Sequence, residues 1–211
     1  MSNTSYHTLQ SKQNWSLYIK QLGIQKTHPW FENLMHPSGK IYILSMVWDD
    51  SGKPAIIYPD TTKKPEEYAF KIDNGGVQHF IGDGIEVLPP RQIIGGLNVA
   101  IFIFKDNSAK RQLGVELKQI QAQFKKSELF QLIKAITDLP LSSKADALTK
   151  AADDLCGVIE DILKQSLDKH LATFQGSYGV HNCIRTSKTE TLEQNKIRMV
   201  LNLVSEPILK N

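Results

Sequence analysis

Apolar residues along this chain follow two rhythms, and the change between them predicts its architecture. From residue 41 to residue 104, short apolar runs are separated by Asp, Asn, Gly and Pro at intervals of roughly ten residues, the spacing of an antiparallel sheet. Residues 41–48 (IYILSMVW) are apolar on both alternating faces and stop at Asp49–Asp50–Ser51–Gly52. Asp and Gly tolerate the backbone angles of a tight reversal. A second strand is predicted at 55–58, closed by Pro59 and Asp60. Residues 67–72 alternate, with Tyr68, Phe70 and Ile72 on one face. Asp73–Asn74–Gly75–Gly76 then reads as a hairpin turn into 77–81, because Asn-Gly supplies the positive φ angles of a primed turn. Gly82–Asp83–Gly84 precedes a strand at 85–88, which Pro89–Pro90 stops, and Gly95–Gly96 introduces 97–104. Like 41–48, the run 97–104 is apolar on both faces, so both are placed mid-sheet and covered on each side.

The rhythm then lengthens. Leu113, Leu117, Ile120 and Phe124 line one helical face, with Asp106 or Ser108 as N-cap. Ser127 starts a second helix that Pro140 breaks, and Ser143 caps a third, whose apolar face runs from Leu148 to Leu163. Strand character returns at 171–174, 178–184 and 196–204. In the last, Ile197, Met199, Leu201 and Leu203 share one face opposite Arg198 and Asn202. Before the sheet region, residues 1–23 read as a loosely ordered leader, with a short amphipathic patch over 15–22 suited to one or two helical turns.

The expectation is an α+β or mainly β fold: an antiparallel β-sandwich of seven to nine strands with a two- or three-helix insertion before the last strands. The leader occupies 1–23, and a single β-sandwich domain occupies 24–211, with the insertion at about 107–167.

Composition narrows the class. The chain has 211 residues, enough to bury one core without disulfides or structural metals. A net charge of +3 is nearly balanced, whereas nucleic-acid binders carry a strong basic excess. The basic residues that do cluster, over 105–126, are separated from the early tryptophans, so no stacking platform for single strands is formed. Two cysteines, Cys156 and Cys183, fit a reducing compartment better than a secreted scaffold. No signal-peptide pattern or membrane-length apolar run occurs, and a cytoplasmic location is expected.

Motifs for nucleotides, phosphates and hydrolytic triads are missing: there is no GxGxxG entering a helix, no GK[ST] loop, no GxSxG and no HExxH. Three constellations remain. Asp49, Asp50 and Asp106 each end a buried strand; brought to one rim, their carboxylates would suit Ca²⁺, which takes six to eight oxygen ligands. As plain structure, Asp49 and Asp50 make a turn and Asp106 caps a helix. His181 and Cys183, two apart on one strand face, could pair as base and nucleophile, or with His170 contribute to a zinc site, though a fourth ligand is absent. Trp15 and Trp30, outside the predicted strands, mark either a partner-facing surface or anchors for the leader.

With carboxylates on its loops, the layout resembles C2-type sandwiches in arrangement alone, and the resemblance implies a cation-assisted membrane-surface module. The leading expectation is a non-catalytic binding or assembly module for a protein partner. The third is an enzyme with a noncontiguous site near His181 and Cys183.

Overall fold

The computed structural model describes residues 6–9, 13–25, 38–49, 55–59, 69–73, 75–94, 96–106, 169–180 and 188–207, and four single positions, Gln119, Ala122, Asp154 and Gly157. Eleven strands are formed among them: β1 (Tyr6–Leu9), β2 (Gln13–Ile24), β3 (Ser38–Asp49), β4 (Ile56–Tyr58), β5 (Ala69–Asp73), β6 (Val77–His79), β7 (Ile85–Gln92), β8 (Gly96–Asp106), β9 (Lys169–Val180), β10 (Lys188–Gln194) and β11 (Ile197–Pro207). They make two sheets. The first has the order β1-β9-β8-β3-β4, with β5 also on β3; the second has the order β10-β11-β2-β6, with β7 also on β2. Pairing is antiparallel except for β1 on β9.

The sheets face each other as a β-sandwich-like pair. Alternation selects the inner rows: Ile41, Ile43 and Val47 of β3 and Leu97, Val99, Ile101 and Ile103 of β8 share a core with Leu17, Ile19 and Leu22 of β2 and Ile197, Met199, Leu201 and Leu203 of β11. The last four are the face expected from the sequence. The two-sided runs are also where they were placed, since β3 and β8 are adjacent mid-sheet strands. Their other rows, Tyr42, Leu44, Met46 and Trp48 with Ala100, Phe102 and Phe104, are equally buried. Tyr42 and Phe104, opposite each other in register, stack at 5.4 Å.

Several expectations are corrected. Among the described residues, the mixed class gives way to a nearly all-β structure in two antiparallel sheets, with no helical insertion seen. Almost all of the segment 107–168 lies outside the described residues. Its four described positions, Gln119, Ala122, Asp154 and Gly157, have helical backbone and are exposed. A helical spacing of apolar residues marks a face, but this core is assembled by pairing strand to strand.

The amphipathic patch at 15–22 is not helical turns but the middle of β2, paired on both sides. The reason lies in a bulge. Gln21 faces Val200 and Ile19 faces Leu201, which leaves Lys20 unpaired on β11 and shifts the alternation by one residue. Trp15, Leu17 and Ile19 point inward, then Leu22 and Ile24, and this broken period of two mimics a helical spacing. Residues assigned to a loose leader thus belong to both sheets, as β1 and β2.

The Asp73–Gly76 turn is real, with Gly76 N–H donating to the Asp73 carbonyl at 2.8 Å, but it does not make a hairpin. β5 pairs with β3 and β6 pairs with β2, so the turn carries the chain from one sheet to the other. A true two-residue hairpin joins β10 and β11. Asn195 and Lys196 have φ of 50° and 63°, the two positive values of a type I′ turn, with no glycine to announce it. Pro89 and Pro90 do not stop β7: they sit exposed within it, where its register against β2 shifts between Leu17 and Trp15.

Candidate contact surface

The carboxylates singled out from the sequence do not converge. In the β3–β8 register, Asp49 lies opposite Leu97 and Asp106 lies opposite Lys40. These are the two ends of one antiparallel ladder. The nine residue steps from Leu97 to Asp106 amount to about 30 Å at the rise of a strand. Asp49 is 3% exposed, with Oδ2 2.9 Å from Arg91 Nη2 and accepting from Ile94 N–H at 3.4 Å. Its carboxylate joins β3 to β7 across the sandwich. Asp50 lies outside the described residues. Among those described, no three His, Cys, Asp or Glu side chains gather as a metal would require.

Trp15 is 1% exposed and part of the core, which corrects its reading as a partner-facing residue. Trp30, His181 and Cys183 lie outside the described residues. His170 is half-buried on β9, with Nε2 2.8 Å from Thr173 Oγ1 and its ring against Phe104. The Phe104 contact is a cross-strand pair in the β8–β9 register, and the Thr173 contact is made within β9.

Three further hydrogen bonds tie the sheets together. Tyr178 on β9 donates to Glu190 Oε2 on β10 at 3.2 Å. Burial, and then the neighbouring Glu190 charge, raise its phenol well above the usual tyrosine range. Beyond the stretch of β9 paired with β1, the β10–β11 turn takes over: Gln194 Oε1 accepts from Thr173 N–H at 2.7 Å, and Asn195 Nδ2 donates to the Leu171 carbonyl at 3.1 Å. These side chains bond β9 backbone groups along the part of the strand that β1, paired with residues 177–180, does not reach.

What remains unexplained by packing is on the opposite edge of the second sheet. β6 and β7 lie end to end along β2, separated by residues 80–84. Phe80 N–H donates to the Lys20 carbonyl at 3.0 Å, and Phe80 meets Phe70 edge to face at 5.1 Å. Its side chain is therefore turned inward, and Ile81 is turned out, 98% exposed. A turn closed by Gly84 N–H to the Ile81 carbonyl, at 3.3 Å, follows at once. Lys20, the bulged residue of β2, donates from Nζ to the Gly82 carbonyl at 2.6 Å and lies 3.9 Å from Asp83 Oδ1. Gly84 has φ of +101°, and a β-carbon there would overlap the Ile19 carbonyl oxygen. The loop is thus pinned against β2 at its base while its isoleucine faces solvent. Val77, on the same edge, is 48% exposed.

Sequence reading located the Gly82–Gly84 turn but counted Ile81 as the end of a strand. The available signal was phase: alternation that puts Phe80 inside puts Ile81 outside.

Among the described residues, no helix is long and apolar enough to cross a membrane. No protein-family model and no curated protein matches this chain.

Proposed function

We propose that this protein is a non-catalytic binding module that takes a protein partner on the interrupted β6–β7 edge, with Ile81 as the anchor and Val77 further along the same edge. The observation that carries this reading is Ile81, an aliphatic side chain 98% exposed on a loop whose base is fixed by Lys20 and Gly84. Single exposed apolar residues are common on protein surfaces. A pinned one with a second apolar residue nearby resembles an interface hot spot, since a preordered anchor loses little entropy on binding. Burying an isoleucine side chain contributes about 1.5–3 kcal/mol, or on the order of ten-fold or more in affinity.

A protein is favoured over a lipid surface by charge. The loop's cation, Lys20, lies 3.9 Å from Asp83, so the two charges offset each other where anionic headgroups would need a bare cation. A cytoplasmic setting accompanies the proposal, on the strength of the sparse cysteines.

The test is quantitative recovery of co-purifying proteins from the source cells with the native chain and with Ile81→Asp. Partner loss of ten-fold or more with unchanged yield of the chain itself supports the reading; equal recovery contradicts it. Sedimentation of the native chain, but not of Ile81→Asp, with phosphatidylserine vesicles would favour a membrane surface instead.

A further inference from the structure

The side of β9 that faces away from β8 is a strand edge over most of its length. Its pairing with β8 runs from Lys169 to Gly179, whereas β1 reaches only residues 177–180. Over residues 169–176, no strand among the described residues lies on that side. This stretch, KHLATFQG, contains no proline, and an edge of this kind, left open, templates the addition of another strand.

Here the edge is covered from the other sheet. Thr173 N–H donates to Gln194 Oε1 at 2.7 Å, and the Leu171 carbonyl accepts from Asn195 Nδ2 at 3.1 Å. Leu171 and Thr173 are two apart, as the groups along one edge of a strand are. Leu171 is also the extra residue of a bulge, since Ile103 faces Ala172 and Phe104 faces His170. The cap is itself held in place. Asn195 and Lys196 form the positive-φ turn after β10, and the Lys196 carbonyl accepts from Gln25 N–H, just past β2, at 2.9 Å. Both Gln194 and Asn195 are exposed, so core packing does not account for them.

We propose that Gln194 and Asn195 guard the β9 edge against strand pairing with a second copy of this chain. A second copy is the partner because every molecule carries the same edge, and two such edges pair about a two-fold axis with the same residues from each. Side-chain amides suit the task. They satisfy a backbone donor and a backbone acceptor without presenting a main-chain ladder that a further strand could extend. The guard is separate from the Ile81 contact, which lies on the opposite edge of the second sheet.

The experiment compares the native chain with the double variant Gln194→Ala and Asn195→Gly, by sedimentation velocity over a range of concentrations and by amide exchange. Glycine at 195 keeps the positive φ of the turn and removes only the amide. The double variant is expected to associate at concentrations where the native chain does not. In dilute solution its Thr173 amide should exchange about five-fold faster or more, as one lost hydrogen bond implies. Thr173→Pro, added to the double variant, should restore native sedimentation, because proline offers no N–H to an incoming strand and the N–H it replaces points to Gln194 rather than β8. That rescue separates edge pairing from aggregation of a weakened fold, which proline would increase. A double variant that sediments as the native chain does, or whose association survives Thr173→Pro, would overturn the assignment.

Discussion

Asp49 and Arg91 meet 2.9 Å apart between the two sheets, the carboxylate carried by β3 and the guanidinium by β7. The side chains are 1% and 19% exposed, so each supplies the other's counter-charge in a place that water hardly reaches. A residue type that suggests metal binding in the sequence is here a cross-brace at one end of the sandwich.

Removing one half of this brace leaves an uncompensated buried charge. Arg91→Leu is expected to cost about 3 kcal/mol of stability, within the range for broken buried pairs. The pair Asp49→Leu with Arg91→Leu should recover much of that loss, because neither charge then remains. Urea unfolding of the three variants and the native chain measures both effects.

Calcium should leave the protein unmoved at this position. Asp106 is at the other end of the ladder, and the Asp49 carboxylate is occupied by Arg91 and the Ile94 amide. Thermal unfolding with millimolar Ca²⁺ is expected to show the same Tm as without it. A ligand at one hundred times its Kd would add about 2.7 kcal/mol, so a real site would be visible.

Tyr178 makes the fold sensitive to alkali. Its phenol is raised above the ordinary value of 10.0 by burial and by Glu190. A folded-state pKa above the unfolded one gives stability that is complete below the unfolded pKa and is lost as pH rises through the folded value. Stability should therefore decline above about pH 10, and Tyr178→Phe should flatten that decline. At neutral pH the same substitution should cost about 1–3 kcal/mol for the lost bond to Glu190. Denaturant midpoints across pH 8–11 test the slope and the offset together.

Gly82 and Gly84 are not equivalent despite their shared turn. Both have positive φ, 65° and 101°, but only Gly84 lies against the β2 backbone. Gly84→Ala should destabilise by about 2 kcal/mol or more, and Gly82→Ala, facing open space, by about 1 kcal/mol. Equal losses would mean that the loop is not pinned on β2.

The sequence disclosed most where its alternation was uninterrupted. β3, β8 and β11 could be read directly, because residues 41–48 and 97–104 are apolar throughout and Ile197, Met199, Leu201 and Leu203 keep one phase. β2 escaped because the bulge at Lys20 shifts its phase midway. The Asn195–Lys196 turn escaped because a strained backbone was met without glycine. Asn74–Gly75 misled in the other direction: local turn chemistry specifies a reversal, but not whether the departing strand joins the same sheet. Candidate residues fared similarly. Trp15 could not be recognised as core until β2 was, and the separation of Asp49 from Asp106 depends on strand order, which no local pattern encodes. The exposed Ile81 followed from phase, once Phe80 was known to face inward.

The most direct measurement replaces Ile81 with the photo-reactive p-benzoylphenylalanine and irradiates the source cells, with the same group at the exposed Glu206 as a control. The account predicts a discrete protein adduct from position 81 that is lost when Val77→Asp is added, and no such adduct from position 206. An absence of any protein adduct from position 81, or the same adducts from both positions, would contradict it.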